Sequence, residues 1–309
     1  MNRTQQSTPL SPAGATAPAP ATVRTNLGLL TMVLVWGLNF SVVKAALAHI
    51  PPLGFNALRF PLASLTVWLV LRRLGSIPLP RREDVRRVIV LGLLGNVVYQ
   101  VAFIVGLDRT RAGNASLLLA TSPIMTALLS AAAGHERVRP RVWGGVVATV
   151  VGMALVVLGG HEGVAIGLDT LAGDLILVGA ALAWSLYTVG AKPLINRYGP
   201  VPVTAWTLWT GSLALVPLGS LDLVGLGWSA VPGVAWTGVA FAGIFGIALA
   251  YLLWYQGVRY IGNTRTAIYS NLVPVLAILI AWLWLGEVPS VGQIVGAVVI
   301  IGGVMLAQR

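Results

Sequence analysis

The chain has 309 residues, of which 57% are hydrophobic and 9% are charged, and its mean hydropathy is +0.85. So little polar surface excludes a water-soluble globule of this size and indicates an integral membrane protein. The formal charge of +11 does not indicate nucleic-acid binding, because the basic residues lie in short loops between apolar runs. Cysteine is absent, which excludes a disulfide framework and Cys-based metal sites.

A polar N-terminus precedes a series of apolar segments. Residues 1–25 are rich in Ala, Pro, Thr and Ser, and they predict a disordered cytoplasmic tail. The later stretch from Thr266 to Leu285 is uncharged throughout, and its length is about the 20 residues that a helix needs to cross hydrocarbon. We therefore predict an all-α integral membrane protein with ten transmembrane helices. The predicted helices span 27–48, 54–71, 88–107, 112–133, 142–158, 171–191, 201–218, 230–255, 264–285 and 290–307.

Lys and Arg are distributed unevenly over alternate loops. With the N-terminus taken as inside, sixteen fall inside and two, Arg109 and Arg111, fall outside, while Lys44 and Arg59 near helix ends are left uncounted. Because basic loops stay cytoplasmic, both termini are predicted to lie in the cytoplasm. The sixteen are Arg3, Arg24, Arg72, Arg73, Arg81, Arg82, Arg86, Arg87, Arg137, Arg139, Arg141, Lys192, Arg197, Arg259, Arg265 and Arg309.

The chain contains an internal repeat. The stretch 36–44, WGLNFSVVK, matches 184–192, WSLYTVGAK, at an offset of 148 residues, so each unit holds five helices. Because five is odd, the second unit enters the membrane upside down relative to the first, as in many secondary transporters. The predicted units are a first five-helix repeat at 26–160 and a second, inverted one at 171–309. At an offset of 151 the matched pairs are Gly106 and Gly257, Pro123 and Pro274, Glu136 and Glu287, Gly145 and Gly296, and Gly152 and Gly303.

Three features together resemble the drug/metabolite transporter superfamily, specifically its EamA family. They are the WGLNFSVVK opening, the LGEVPSVGQIVGAVVIIGGVML close and the doubled five-helix unit. The likeness covers 27–307, and within the family the chain resembles the YddG-type exporters of aromatic and other neutral amino acids. The resemblance implies a basket-like bundle whose central cavity is lined by helices 1, 3, 4, 6, 8 and 9, with helices 5 and 10 at the rim.

Aromatic side chains occur at helical spacing inside the predicted helices. Positions i, i+3 and i+4 share a face, so Trp36, Asn39 and Phe40 form a wall on helix 1, and residues 184–188 form the matching wall on helix 6. We expect these walls to enclose an aromatic pocket. The predicted substrate-binding residues are Trp36, Asn39, Phe40, Tyr99, Phe103, Ser122, Trp184, Tyr187, Thr188, Trp254, Tyr269 and Asn271.

Prolines interrupt two helices close to this pocket. Pro123 and Pro274 each remove a backbone hydrogen bond, which a bilayer tolerates where neighbouring helices or a wet cavity satisfy the freed carbonyl. A primary amide facing lipid is also costly, which favours a partner helix or a cavity for Asn39 and Asn271. We expect the two broken helices to meet near the midplane and to bind the charged groups of a zwitterion between them.

Several of these residue types have an alternative role. Trp and Tyr also form interfacial belts, which we expect of Trp206, Trp209, Trp228, Trp282 and Trp284. Lys44 and Lys192 lie within a turn or two of a helix end, where a lysine can extend to the headgroups. The other interpretation makes one of them a contact for a substrate carboxylate or part of an inner or outer gate.

Signals for enzymatic or ATP-driven chemistry are lacking. The two lysines stand in VVKAA and GAKPL and not in a phosphate-binding G-x-x-x-x-G-K-[ST] loop, and His49, His135 and His161 each stand alone. Apart from Asp174, no carboxylate is placed within a predicted helix, which disfavours a proton-coupled exporter of cationic drugs. We predict no enzyme activity, no cofactor and no metal.

Together with the family resemblance, these features predict a secondary transporter that exports aromatic or neutral amino acids and related small metabolites by alternating access. We expect it to span the inner (plasma) membrane of a bacterium. Its predicted partners are a small-molecule substrate and the lipid bilayer, without nucleic acid, and we expect a monomer. Efflux of lipophilic or cationic drugs by the same fold is the alternative function. A channel or a non-transporting membrane scaffold is a further alternative from a different class.

Overall fold

The computed structural model describes residues 19–73, 79–133, 140–159, 168–261, 266, 269–270 and 272–308. Over these residues the chain forms ten successive helical segments, one for each predicted helix. Thr266, Tyr269 and Ser270 are also helical and precede the ninth segment. The segments are α1 Ala19–Leu47, α2 Pro52–Arg73, α3 Arg82–Arg109, α4 Ala112–Ala132, α5 Pro140–Gly159, α6 Leu168–Tyr198, α7 Pro200–Leu223, α8 Gly233–Tyr260, α9 Val273–Leu285 and α10 Val291–Gln308.

The helices have the length and surface of membrane spans. Among the described residues, seven helices are long and apolar enough to cross a membrane, and shorter apolar stretches lie in α5, α9 and α10. Large apolar side chains such as Leu213 and Leu283, 79% and 74% exposed, point outward from the bundle. So much exposed apolar surface would be unfavourable in water, but it is favourable in an all-α membrane protein, where lipid covers it.

Helix α1 begins at Ala19, so residues 19–25 of the predicted tail are helical. Pro20 lies in the first turn, where a proline costs no intrahelical hydrogen bond. Residues 1–18, the remainder of the predicted tail, lie outside the described residues. Helices α3 and α6 also extend several residues beyond their predicted bounds, because their polar and charged ends continue the helix past the apolar stretch.

Contacts between the helices follow a two-fold pattern. Helix α2 packs against α7 and α5 against α10, and each of these pairs joins a helix to its counterpart in the other repeat. The contact of α3 with α6 is matched by that of α8 with α1, and the contact of α4 with α6 is matched by that of α9 with α1. Exchanging the two repeats therefore leaves these main helix contacts unchanged. Because each repeat holds five spans, this two-fold axis lies in the membrane plane.

Two hydrogen bonds mark the position of this axis. The hydroxyl groups of Ser64 on α2 and Ser212 on α7 lie 2.7 Å apart, and these residues are 148 positions apart in the chain. Gln100 on α3 donates its amide Nε2 to the hydroxyl of Tyr251 on α8 at 2.7 Å, across 151 positions. These separations equal the two repeat offsets, so each bond joins a residue to its own counterpart.

In the part of the chain that the structure describes, three helices contain a wider, π-helical segment. Leu94–Val98 in α3 and Ala242–Leu249 in α8 occupy corresponding positions in the two repeats, and Ala281–Leu285 ends α9. Inside the second segment the carbonyl oxygen of Gly246 accepts a hydrogen bond from Trp36 Nε1 at 3.0 Å. Segments of this kind often occur at functional sites, because they change the direction in which the following side chains point.

The α4 helix is interrupted at its proline. Its first half ends at Leu119 and its second half begins at Ser122, with Pro123 in the first turn. The missing amide of Pro123 leaves the Leu119 carbonyl without its helical donor, and the Ser122 hydroxyl donates to that carbonyl at 2.5 Å. In α9 the corresponding Pro274 likewise lies in the first turn of a helix that begins at Val273.

Candidate functional site

A central cavity of about 100 Å³ lies between the two repeats. Its wall includes residues from α1, α3, α4, α6 and α8, residues at and before the start of α9, and one residue from α2. Helices α5 and α10 pack against each other instead, away from the described wall. Of the predicted site residues, the wall contains Trp36, Asn39, Phe40, Tyr99, Phe103, Ser122, Trp184, Thr188 and Trp254, together with the kink prolines Pro123 and Pro274.

Aromatic rings form a continuous cluster on one side of the cavity. Trp184 is at its centre, with the ring of Tyr99 at 5.0 Å and that of Tyr251 at 5.2 Å between centroids. Trp36 and Trp254 each lie 6.0 Å from Trp184 and 5.6 Å from one another. Such separations are typical of favourable aromatic pairs, so the cluster presents a preformed apolar surface to the cavity.

Two predicted site residues are not among the described wall residues, and a third is not described. Tyr187 is fully buried behind the wall, because its ring packs on the bare backbone of Gly95 and its hydroxyl is within 2.8 Å of the Thr207 hydroxyl. Tyr269 is partly buried and is not among the described wall residues. Asn271 lies outside the described residues.

The wall also contains polar residues that the sequence prediction missed. Arg59 on α2 is 1% exposed, and its Nε donates to Asn56 Oδ1 at 2.9 Å. Its Nη2 donates to Gln100 Oε1 at 2.8 Å, and Gln100 in turn donates to the hydroxyl of Tyr251. The sequence did contain a signal for this site, because Arg59 lies inside an apolar segment and Asn56 lies three positions before it. The other missed polar residues of the wall are Ser116, Thr126 and Ser270.

Three buried polar atoms of the wall have no hydrogen-bond partner within the described part of the chain. They are Asn39 Oδ1, Thr188 Oγ1 and Trp254 Nε1. Buried polar groups in native structures are almost always paired, and an exception calls for a specific explanation. As a set, they offer one acceptor, one donor and one group that serves as either.

Lys44 lies away from the central cavity, at one end of the bundle. Its Nζ donates to the carbonyl oxygens of Leu107 at 2.8 Å and Asp108 at 2.7 Å, at the C-terminal end of α3. A cation is favourable there because helix carbonyls lack intrahelical donors and carry partial negative charge. Lys44 therefore ties α1 to α3.

Glu287 makes the converse contact at the same end, which we call the Glu287 end. Its carboxylate oxygens accept hydrogen bonds from the backbone amides of Ala112 at 3.2 Å and Gly113 at 3.3 Å, at the N-terminus of α4. Its repeat counterpart, Glu136, lies outside the described residues. The Glu287 contact joins the α9–α10 connection to α4, at the same end at which Lys44 joins α1 to α3.

Ion pairs hold the opposite end, which we call the Arg197 end. Arg197 Nη1 lies 2.7 Å from Asp84 Oδ2 and 2.9 Å from Glu83 Oε1, which joins α6 to α3. Tyr198 donates its hydroxyl to Asp84 at 2.6 Å. Lys192, the counterpart of Lys44, is partly buried and makes no hydrogen bond within the described part of the chain.

The tryptophans expected in the interfacial belt fall into two groups. Trp228, Trp282 and Trp284 are about half exposed, at 50%, 48% and 51%. Trp206 is instead buried, with its ring 5.0 Å from that of Tyr198. Trp209 is partly buried and donates its Nε1 to the Ser64 carbonyl at 3.4 Å. The belt prediction was wrong for Trp206, because α7 turns this ring toward α6 instead of toward lipid.

Comparisons with known proteins agree with this architecture. A model of the EamA-like transporter family matches residues 23–158 and 171–308. A solved crystal structure that is 24% identical has a TM-score of 0.66 and covers 92% of this chain and 96% of its own. At this identity the likeness concerns the fold alone.

Curated relatives match along nearly their whole length. The uncharacterised transporter YdfC of Bacillus subtilis is 28% identical, over 92% of this chain and 90% of its own. A probable terminal-alkyne amino-acid exporter of Streptantibioticus cattleyicolor is 29% identical, over 91% and 92%. A probable amino-acid metabolite efflux pump of Salmonella typhimurium is 26% identical, over 90% and 92%.

A two-repeat helical membrane protein with a cavity between its repeats has the architecture of a transporter. The family match covers both five-helix units and leaves out little more than the N-terminus and the connection between them. The chain belongs to the EamA-like transporter family.

Proposed function

We propose that the protein exports amino acids, aromatic or other neutral ones, and related small metabolites across the inner membrane by alternating access. The observation that supports this proposal is the central cavity, with an aromatic cluster on one side and the unpaired atoms of Asn39, Thr188 and Trp254. The aromatic rings suit an apolar side chain, and the polar atoms suit the amino and carboxylate groups of a zwitterion. Two relatives are named as a probable terminal-alkyne amino-acid exporter and a probable amino-acid metabolite efflux pump.

Access to the cavity alternates, in this proposal, between the two ends of the bundle. The Lys and Arg distribution puts the Arg197 end in the cytoplasm and the Glu287 end outside. Lys44 and Glu287, whose hydrogen bonds reach the facing ends of α3 and α4, then belong to an outer gate. Lys192 is the inner counterpart of Lys44, and we assign it to the inner gate. Repeat-related gates of this kind suit an inverted-repeat carrier.

Transport into liposomes tests the proposal. Purified protein is reconstituted, and uptake of radiolabelled L-phenylalanine and L-leucine is measured with increasing concentrations of the unlabelled compounds. We expect saturable uptake with mutual competition. Flux that rises without saturation would show a channel instead, and uptake of a lipophilic cation without uptake of either amino acid would favour drug efflux.

Matched tryptophan variants connect the transport to the cavity. Trp184→Ala removes the central ring of the aromatic cluster, so we expect a large loss of amino-acid uptake. Trp228→Ala removes a half-exposed ring remote from the cavity wall and serves as the control. Equal uptake by the two variants, at equal amounts of folded protein in the liposomes, would remove the basis for assigning the cavity as the substrate site.

A further inference from the structure

Arg59 is unusual in position and burial. Helix α2 packs mainly against α7, and among the described residues it contributes Arg59 alone to the cavity wall. The side chain is 1% exposed, and its guanidinium carbon lies 5.1 Å from the centre of the Phe55 ring and 5.7 Å from that of Phe103. Within the described wall it is also the sole charged side chain. The cavity therefore contains a fixed positive charge, because a guanidinium stays protonated in proteins.

The described protein groups around Arg59 do not neutralise this charge. Its hydrogen-bond partners, Asn56 and Gln100, are both neutral amides. Ion pairs between described residues are confined to the Arg197 end, where Arg81 and Arg197 meet Glu83 and Asp84. A buried charge is costly without a counter-charge, and ionisable residues within the membrane mark substrate pathways by default. An anionic ligand in the cavity would supply what the chain does not.

The fold itself does not require an arginine at this position. The residue 148 positions later, the offset that relates α2 to α7, is Thr207. Thr207 is fully buried and forms a hydrogen bond with Tyr187. The second repeat therefore has a short neutral side chain at the position that corresponds to Arg59. The positive charge is therefore specific to the first repeat, which is expected of a ligand contact and not of a packing element shared by both repeats.

We propose that Arg59 binds a carboxylate of the transported molecule, and that this carboxylate is the group by which the cavity selects its substrates. The inference rests on the proposed function and narrows it to organic acids that carry an apolar or aromatic group. The amino group of an amino acid is then secondary, and amines without an acid are rejected. The guanidinium suits this role because it can donate two parallel hydrogen bonds to one carboxylate.

Four related compounds distinguish the contribution of the carboxylate to binding from that of the amino group. They are L-phenylalanine with both groups, phenylacetate with the acid alone, L-phenylalaninamide with the acid masked, and phenethylamine with the amine alone. Equilibrium binding of each radiolabelled compound to the purified protein is measured. We expect both acids to bind about 10- to 100-fold more tightly than the amide and the amine, the range that a charge-assisted contact gives.

Variants then connect this selectivity to Arg59. Arg59→Gln should remove the preference for acids, and Arg59→Lys should retain part of it, because the charge stays while the paired donors are lost. Arg72→Gln on the exposed end of the same helix is the matched control and should bind as the unmodified protein does. Gln100→Glu keeps the side-chain shape but puts a carboxylate beside Arg59, so it should also abolish acid binding. This variant decides the question if Arg59→Gln does not fold.

The outcomes distinguish this inference from the proposed function. Equal binding of acid and amide, or an unchanged preference in folded Arg59→Gln and Gln100→Glu, would overturn the role of Arg59 and leave an amino-acid transporter standing. Binding of phenethylamine in preference to both acids would overturn the acid selectivity and favour a carrier of cations. Failure of all four compounds to bind, together with no saturable uptake, would overturn both proposals.

Discussion

The two repeats differ most where they face the cavity. Where the first repeat has Asn39 and Arg59, the second has Tyr187 and Thr207, 148 positions later. The first pair lines the cavity wall, whereas the second pair is buried behind it and joined by a hydrogen bond. Residues that lie near the axis in both repeats, such as Gln100 and Tyr251, contact each other directly.

Close packing at glycines, in contrast, is shared by both repeats. A Cβ added to Gly95 would overlap Tyr187, and one added to its counterpart Gly246 would overlap Asn39. The same reciprocity holds between α5 and α10, where Gly152 packs on the backbone of Gly296 and Gly303 packs on that of Gly145. The backbone positions thus retain the symmetry, and the side chains that fill the space have diverged. A symmetric carrier can in this way present an asymmetric site.

The largest expected effect is at Gly95. In Gly95→Ala the new methyl group meets a rigid ring whose hydroxyl is bonded to Thr207, so we expect a loss of about 3 kcal/mol in the free energy of unfolding. In Gly246→Ala it meets the end of the flexible Asn39 side chain, and we expect a loss of about 1 kcal/mol. Thermal unfolding in detergent measures both losses.

A third glycine serves as the control for this pair. Gly179→Ala on α6 has no heavy atom from outside its own stretch of helix within 4 Å of the added Cβ and should stabilise the helix by about 0.5 kcal/mol. A Gly95→Ala variant as stable as Gly179→Ala would show that the contact of Gly95 with Tyr187 is not tight.

An intermediate effect is expected at the two lysines. Lys44→Met keeps the aliphatic stem but removes two charge-assisted hydrogen bonds to the end of α3, so we expect a loss of about 2 kcal/mol. Lys192→Met is the matched control and should change the stability by less than about 0.5 kcal/mol. The midpoint of thermal unfolding measures both, and equal losses would contradict the observed asymmetry of the two ends.

The smallest expected effect concerns the bond between Ser64 and Ser212. Each single change to alanine removes the same hydrogen bond and should lower the stability by about 1 kcal/mol. The double variant should lose little more than either single variant, which gives a coupling energy of about 1 kcal/mol in a double-mutant cycle. Additive losses would indicate that the two hydroxyl groups do not meet, and that the axis does not pass between them.

The sequence predicted the ten helical segments well because the signals that mark them are local in the chain. Pro123 and Pro274 mark the two helix breaks, and hydrophobic runs between charged loops mark the ten segments. Trp36 and Trp184 occupy matching places in the repeated motif, and both rings lie in the cavity wall. Spacing along one helix was enough to place them on the inner face, since residues on one helical face lie three or four positions apart.

The chemistry of the site depended on contacts that spacing does not show. Arg59 stands seven positions into α2, where a cation could equally have reached the headgroups. Its burial depends on the rings of Phe55 and Phe103 and on Gln100, which is 41 positions away. Tyr187 shares a helical face with Trp184, but its direction is decided by Gly95 on another helix. The burial of Arg59 and the direction of Tyr187 therefore depend on tertiary contacts between helices, which the spacing within one helix does not reveal.

The π-helical segment at Leu94–Val98 accommodates one residue more in α3 than a regular α-helical turn does. A π turn is wider than an α turn by about one residue, so deleting one position there restores regular α-helical bonding. The wide turn has already absorbed that extra residue, so the helix beyond such a deletion keeps its direction, and Tyr99, Gln100 and Phe103 would still face the cavity. The same deletion in the regular part of α3, Arg82–Leu93, would rotate these three residues together by about 100°, since an α-helix has 3.6 residues per turn. The π-helical segment is thus the place in α3 where the loss of one residue leaves this wall of the site unturned.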